Sequence, residues 1–157
     1  MIALTDDFED LLVELADARA DFVVVGGFAV SFHGHARATK DIDILVRPHP
    51  ANSSRVFAAL AAFGAPISMF EIQEGDFASY EGVLQLGLPP NRVDIITRID
   101  GIAFEDAVAD GDAFTVRGRR VPVIGLKALL KNKRASGRPQ DIADVLALSA
   151  MEPDNRG

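Results

Sequence analysis

The sequence predicts an α/β fold with a small mixed β-sheet, flanking helices and a pair of helices at the C-terminal end. Three observations predict it. Short runs of apolar and β-branched residues alternate along the chain with segments whose apolar residues recur at helical spacing. Glycines and prolines separate these segments, as they do at turns. Two helical patterns follow one another near the end, with Ser136-Gly137 between them.

The first predicted element is an amphipathic helix, with Thr5 at the position of an N-cap. Its apolar residues have i, i+3, i+4, i+7 spacing and are Phe8, Leu11, Leu12, Leu15 and Ala18. Three valines after Phe22 predict a short buried strand that ends at the pair Gly26-Gly27. A short helix over Phe28–Phe32 is predicted to follow.

The second predicted strand is Asp41–Val46, which Pro48 and Pro50 close. A helix over Asn52–Phe63 is predicted next, with Asn52 or Ser53 as its N-cap and Gly64 as its end. The later predicted elements are strands over Ile67–Ile72, Val83–Leu88 and Arg92–Thr97, a helix over Phe104–Ala109, a hairpin of Phe114–Val116 and Arg120–Val123 about Gly118, helices over Gly125–Ala135 and Arg138–Ala150, and a frayed tail over Met151–Gly157.

The length of 157 residues suits one domain, with a core over about 20–124 and C-terminal helices over about 125–150. The chain has no cysteine, which excludes disulfide frameworks, thiolate zinc sites and a cysteine nucleophile. The acidic start lacks the basic region of a secretory signal, and the longest apolar run, Phe22–Val30, is too short to cross a bilayer. We therefore expect a cytoplasmic protein that has no membrane partner.

The charge is unevenly distributed along the chain. The net charge is −7, yet residues 117–138, here called the basic segment, hold eight of the 16 lysines and arginines and no acidic residue. This segment could bind a localised polyanion such as a triphosphate or an RNA backbone, or it could be a solvated helix face.

Two carboxylates, Asp41 and Asp43, lie two positions apart in a predicted strand and therefore point to the same face. Like charges this close repel one another, and Mg²⁺ is the natural cation to lie between them because it prefers oxygen ligands. The alternative is a pair of acids that face water at the mouth of the strand.

Asp94 lies in an apolar strand, where an unpaired acid is costly. If this strand lies beside the first pair, three carboxylates share one face, as a two-metal phosphoryl-transfer site requires. The alternative is an acid that caps the following turn. Gly26-Gly27 is separated from Asp41 by thirteen residues and could let phosphate oxygens approach the backbone, or could simply form a packing turn.

Together, Val25-Gly26-Gly27, Asp41-Ile42-Asp43 and Val93-Asp94-Ile95 resemble the signature of the polymerase-beta-type nucleotidyltransferase superfamily. The segments starting at Gly26 and at Arg37, and the pattern from Lys127 to Asp144, are similar to small bacterial stand-alone members. These members include AbiEii-like toxins and minimal nucleotidyltransferases of toxin–antitoxin pairs. The resemblance covers roughly residues 20–148.

The resemblance implies transfer of a nucleoside monophosphate from a nucleoside triphosphate to a hydroxyl group, with two Mg²⁺ ions. It implies that Asp41, Asp43 and Asp94 bind the metals, and that Asp94 also helps to activate the acceptor. Contacts to the triphosphate are implied for Gly26, Gly27, Lys127 and Lys131, and Arg37 and Thr39 either contact phosphate or hold the turn. The two lysines could equally be ordinary surface residues.

Three functions remain open from the sequence: a transferase, a non-catalytic antitoxin-like partner of a cognate protein, and a metal-dependent phosphohydrolase. For a transferase, the acceptor could be a protein side chain, a tRNA end or a small molecule. We interpret His33 and His35 as loop residues and expect Asp141 and Asp144 to pair with Arg138 or nearby lysines.

Overall fold

The computed structural model describes residues 5–35, 41–64, 72–79, 83–86 and 92–150. The predicted α/β class with a mixed sheet is confirmed. The elements in these ranges are α1 (Asp6–Asp17), β1 (Phe22–Val25), α2 (Gly26–Phe32), β2 (Asp41–Val46), α3 (Pro50–Phe63), β3 (Val83–Leu86), β4 (Arg92–Ile96), α4 (Phe104–Ala109), β5 (Asp112–Val116), β6 (Arg119–Val123), α5 (Leu126–Ser136) and α6 (Pro139–Ser149).

The predicted tail over 151–157 lies outside the described residues, as do residues 67–71 of the predicted strand Ile67–Ile72. None of the helices in the described ranges is both long and apolar enough to cross a membrane.

The strands form one six-stranded sheet in the order β3-β4-β2-β1-β6-β5. The pairs β2–β4 and β1–β6 are parallel, whereas β1–β2, β3–β4 and β5–β6 are antiparallel. Strands β4, β2 and β1 are therefore adjacent inside the sheet. Strands β2 and β4 carry the acids of the predicted site, and the glycine pair directly follows β1.

Burial alternates along β2 and β4, because successive strand residues point to opposite faces. Ile42 and Ile44 of β2 and Val93 and Ile95 of β4 are buried in the core. The intervening Asp41, Asp43, Arg92 and Asp94 are only partly buried and share the other face. Helix α1 adds its apolar stripe to the core and packs against α3.

Several predicted helix ends are confirmed. Thr5 caps α1 by accepting a hydrogen bond from Phe8 N at 3.2 Å. Gly64 ends α3 and Gly137 ends α5, both with positive φ, and Pro139 occupies the first turn of α6.

The predicted start of α3 is wrong. The helix begins at Pro50, and His49 is its N-cap through a hydrogen bond from Ala51 N to the imidazole Nδ1. Pro50 favours this earlier start because its fixed φ suits the first helical turn and no partner is needed for a missing N–H. Asn52 and Ser53, the predicted caps, are buried within the helix instead.

Asn52 links the ends of two strands. Its Oδ1 accepts from Asp21 N at 2.6 Å, and its Nδ2 donates to Asp21 O and Arg47 O, both at 3.0 Å. Because Asp21 directly precedes β1 and Arg47 directly follows β2, this side chain satisfies backbone groups where regular pairing stops.

Two of the three arginines of the β5–β6 hairpin form ion pairs with α1. Arg117 pairs with Glu9 and Asp10, and the guanidinium of Arg119 binds both carboxylate oxygens of Asp17 at 3.1 and 3.2 Å. The acids belong to α1, which packs against β5 and β6. The N-terminal part of the basic segment thus holds α1 on the sheet and is not an open basic surface.

We predict that Asn52→Ala lowers the free energy of unfolding by about 2–4 kcal/mol, because Asp21 N and Arg47 O, both partly buried, lose this hydrogen-bond partner. Urea unfolding measures this loss. Ser54→Ala, two residues further along the same helix, is the control and should change stability by less than about 0.5 kcal/mol. An Asn52→Ala chain as stable as this control would contradict the linking role.

Candidate active site

The sheet brings Asp43 and Asp94 side by side. Residues 41–45 of β2 pair in parallel register with residues 92–96 of β4, and Asp43 is the direct partner of Asp94. The two carboxyl groups are close enough to hydrogen-bond. Asp41 lies on the same face, two residues before Asp43. The expected placement of Asp94 is met, whereas the metal-binding roles of the three acids stay predictions.

Burial and neighbouring negative charge raise the pKa of Asp43 from 3.8 to about 6. Desolvation is the largest cause, followed by the charge of Asp94, the hydrogen bond with Asp94 and the charge of Asp41. Two carboxyl groups can hydrogen-bond only if one of them carries a proton. Without a cation beside it, Asp43 therefore keeps its proton into mildly acidic solution.

Arg92 is the residue of this cluster that the sequence analysis missed. Its Nη2 lies 3.2 Å from Asp41 Oδ2, and its Nε lies 3.2 Å from Asp94 Oδ1. Its position two residues before Asp94 could have indicated it, since alternate residues of a strand have side chains on the same face. The structure adds what the pattern did not give, namely that Arg92 is the register partner of Asp41.

The ion pair between Arg92 and Asp94 leaves its two facing atoms without a proper hydrogen bond. Arg92 Nε and Asp94 Oδ1 are both buried, and neither atom has a hydrogen-bond partner within the part of the chain that the structure describes. A buried carboxylate oxygen without a hydrogen bond costs free energy, and a ligand that binds it recovers that cost.

The donor set fits a hard divalent cation. Asp43 and Asp94 offer adjacent carboxylate oxygens, one of them unsatisfied, and their mutual repulsion is relieved by positive charge. Over the described ranges, no three ligand side chains are already grouped around one metal position. Asp41 Oδ2 pairs with Arg92, so a cation that bound this oxygen would compete with the guanidinium.

Gly26 packs directly against the cluster. Val25 is the register partner of Asp43, and the next residue has a φ of +69°. A Cβ placed on Gly26 would lie 2.1 Å from Asp43 Oδ2, closer than any real contact. Helix α2 begins at this glycine and not at Phe28 as predicted, because the turn out of β1 leads into the helix without a linker.

The structure describes only some of the side chains that were predicted to contact phosphate. Lys127 and Lys131 are exposed on α5, and Arg37 and Thr39 lie outside the described residues. The buried lysine of α5 is Lys133, which the sequence analysis did not single out. Its Nζ lies 3.1 Å from Asp141 Oδ1 and 3.2 Å from Asp144 Oδ2, so the expected pairing of these two acids is confirmed.

His33 has a structural contact. Its Nε2 lies 2.7 Å from the carbonyl oxygen of Ile124, and its ring meets Phe32 edge-on. This hydrogen bond ties the end of α2 to the end of β6, in agreement with the interpretation of His33 as a loop residue.

Solved structures similar to this chain share its architecture. A protein of Thermotoga maritima provisionally assigned as a nucleotidyltransferase matches with a TM-score of 0.57 and 13% identity, covering 96% of this chain and 97% of its own. An antigenic nucleotidyltransferase-like protein of Paracoccidioides brasiliensis matches with a TM-score of 0.52 and 14% identity, covering 94% of this chain and 78% of its own.

The chain has a nucleotidyltransferase-like fold. No family profile matches the chain, and no curated protein matches it in sequence. At such low identity the likeness shows the fold alone, and the chemistry has to be argued from the side chains.

We predict that Gly26→Ala distorts the acid cluster, because the new Cβ would strike the Asp43 carboxylate. Gly64→Ala is a matched control: Gly64 also has positive φ, at +90°, but no atom lies within 4 Å of the position of its Cβ. Each substitution should cost about 1–2 kcal/mol of stability from backbone strain. Calorimetric titration with Mg²⁺ should show weakened binding for Gly26→Ala alone. Equal binding by both variants would contradict this packing role.

The raised pKa of Asp43 predicts a pH-dependent stability. Between pH 3.8 and about 6 the folded state binds more protons at this group than the unfolded state, so its contribution is present at low pH and is lost as the pH rises through about 6. Asp43→Asn should therefore gain stability relative to the unsubstituted chain between pH 4 and pH 7.5, by on the order of 2 kcal/mol after solvent screening. Urea unfolding without metal at the two pH values measures the difference, and a constant difference would contradict the shift.

Proposed function

We propose that this chain is a magnesium-dependent nucleotidyltransferase that moves a nucleoside monophosphate from a nucleoside triphosphate to a hydroxyl acceptor and releases pyrophosphate. The observation that carries the proposal is the pairing of Asp43 with Asp94 on adjacent parallel strands, directly beside the turn at Gly26. The shared fold supports it.

The residues that would hold magnesium are Asp43 and Asp94, with Asp41 as a further ligand in competition with Arg92. The ions would supply positive charge to the phosphate chain and lower the pKa of the acceptor hydroxyl. Asp94 is the acid we assign to orient that hydroxyl, because its side chain is the more enclosed of the two that contact Arg92. Arg92 keeps Asp41 and Asp94 aligned when no cation separates them.

The glycine turn fits the approach of a phosphate group. Because Gly26 has no side chain, its backbone lies directly beside the Asp43 carboxylate, so a phosphate group bound at that carboxylate could also approach the backbone of the turn. Gly27, Arg37 and Thr39 are proposed as further contacts to the triphosphate on the strength of the sequence resemblance, which also implies such contacts for Lys127 and Lys131.

The acceptor belongs to one of three classes that carry a hydroxyl group: a protein side chain, a tRNA end or a small molecule. A cognate protein of a toxin–antitoxin pair would fit the resemblance to small stand-alone members. We propose this setting for the enzyme, and co-purification from the native host would identify both the partner and the acceptor.

The test uses the purified chain, Mg²⁺, each of the four α-labelled nucleoside triphosphates and host extract as the source of acceptor. Label transferred to a protein, RNA or small molecule supports the proposal. Release of labelled nucleotide without transfer indicates a phosphohydrolase, and binding of a host protein without turnover indicates a non-catalytic partner. Asp43→Asn should abolish transfer, whereas Asp106→Asn, an exposed acid on α4, should keep it.

We predict that Asp94→Asn retains triphosphate affinity, because Asp41 and Asp43 remain to hold the magnesium of the triphosphate, and lowers turnover by about a hundredfold or more, the range for loss of a general base. The substitution keeps the shape of the side chain and removes its charge. Its melting temperature should not fall, because Asp43 loses a repelling neighbour. Single-turnover transfer and triphosphate titration measure the two effects separately. Unchanged turnover would exclude Asp94 from the chemistry.

A further inference from the structure

A buried ion network joins α5 and α6. Lys133 is 5% exposed, and its two carboxylate partners, Asp141 and Asp144, are 1% and 0% exposed. Gln140 also donates to Asp144, at 3.2 Å. Buried ion pairs contribute little to net stability, because the desolvation of both charges offsets their attraction. A network of this kind is therefore better explained by what it holds in place.

The network holds Arg138, which lies at its outer edge. Arg138 Nε is 2.7 Å from Asp141 Oδ2, and Nη2 is 3.3 Å from Asp141 Oδ1. The same carboxylate accepts from the backbone N–H of Arg138 at 3.2 Å. The arginine side chain is nevertheless 73% exposed. Its remaining nitrogen, Nη1, makes no hydrogen bond within the described ranges and is available to a ligand.

The guanidinium group of Arg138 interacts electrostatically with the acid cluster. The charge of Lys133 acts on Asp43, and Arg138 interacts with both Asp43 and Asp100. Asp100 is tied to α5, since Ser136 Oγ donates to its Oδ2 at 3.0 Å and Asn132 Nδ2 to its backbone oxygen at 2.9 Å. The end of α5 and the start of α6 are therefore tied to the segment that follows β4, and their charges lie near enough to act on Asp43.

The exposed lysines of α5 are less well placed than Lys133 to act on the acid cluster. A helix turns about 100° per residue, so Lys131 points about 160° away from Lys133 and Lys127 about 120° away. Lys133 is the side chain whose charge acts on Asp43. Lys127 and Lys131 thus lie on other sides of α5, and each would lose side-chain entropy when it bound a ligand.

We propose that Arg138 binds the β- and γ-phosphates of the nucleoside triphosphate, and that Lys133, Asp141 and Asp144 form the support that fixes its guanidinium. The assignment rests on the proposed function and names its phosphate-binding residue. A planar guanidinium matches phosphate oxygens geometrically, and one already held by Asp141 loses little freedom on binding.

The test is calorimetric titration with Mg²⁺ and the α,β-methylene analogues of the four nucleoside triphosphates, which are not transferred, and with the corresponding monophosphates. Arg138→Gln should weaken triphosphate binding by about tenfold or more and leave monophosphate binding unchanged. Arg55→Gln, an exposed arginine on α3, is the matched control and should bind like the unsubstituted chain.

A second variant tests the support. Asp141→Asn leaves Arg138 charged but removes its ionic partner, so triphosphate binding should weaken by a smaller factor than in Arg138→Gln. Equal affinities of Arg138→Gln and the unsubstituted chain would overturn the assignment while leaving the proposed function intact. A double Lys127→Gln and Lys131→Gln variant that alone loses triphosphate binding would overturn it in favour of the lysines. If the unsubstituted chain binds no triphosphate, the proposed function itself fails, and this assignment with it.

Discussion

The contact between Asp43 and Asp94 is the constraint on which the rest of the candidate site depends. Parallel pairing of β2 with β4 makes these two acids direct neighbours, and the sheet hydrogen bonds prevent them from moving apart. Burial of the pair raises the pKa of Asp43 to about 6. The fold therefore carries an electrostatic cost at this point, which a bound cation would relieve. Such a cost is characteristic of functional sites, where perturbed carboxyl groups collect.

Three surrounding residues act on this pair of acids. Arg92 supplies a cation from the same strand as Asp94, yet its Nε remains without a hydrogen bond within the described ranges, so the pair is incompletely compensated. Lys133 acts from α5, where its own charge is already shared between two buried aspartates. Gly26 contributes by lacking a side chain, since anything larger would displace the Asp43 carboxylate. All three contacts leave Asp43 and Asp94 close together.

The basic segment shows how one stretch of sequence divides into separate roles. Arg117 and Arg119 pair with acids of α1 and hold that helix on the sheet. Lys133 and Arg138 pair with Asp141 near the acid cluster. Counted along the chain these residues form one island of positive charge. In the fold they face different partners, because the hairpin and the C-terminal helices lie at different places in the molecule.

The sequence by itself determined the elements that depend on local rules. Helical spacing and the Thr5 cap gave α1, positive-φ glycine gave the end of α3 at Gly64, and strand alternation placed Asp41 and Asp43 on one face. Only the tertiary structure decided the partners of polar side chains: Asn52 links strand ends, and Arg92 lies opposite Asp41. Caps and alternation need only a few neighbouring residues, whereas an ion pair or a buried amide depends on register and packing between segments far apart in the chain.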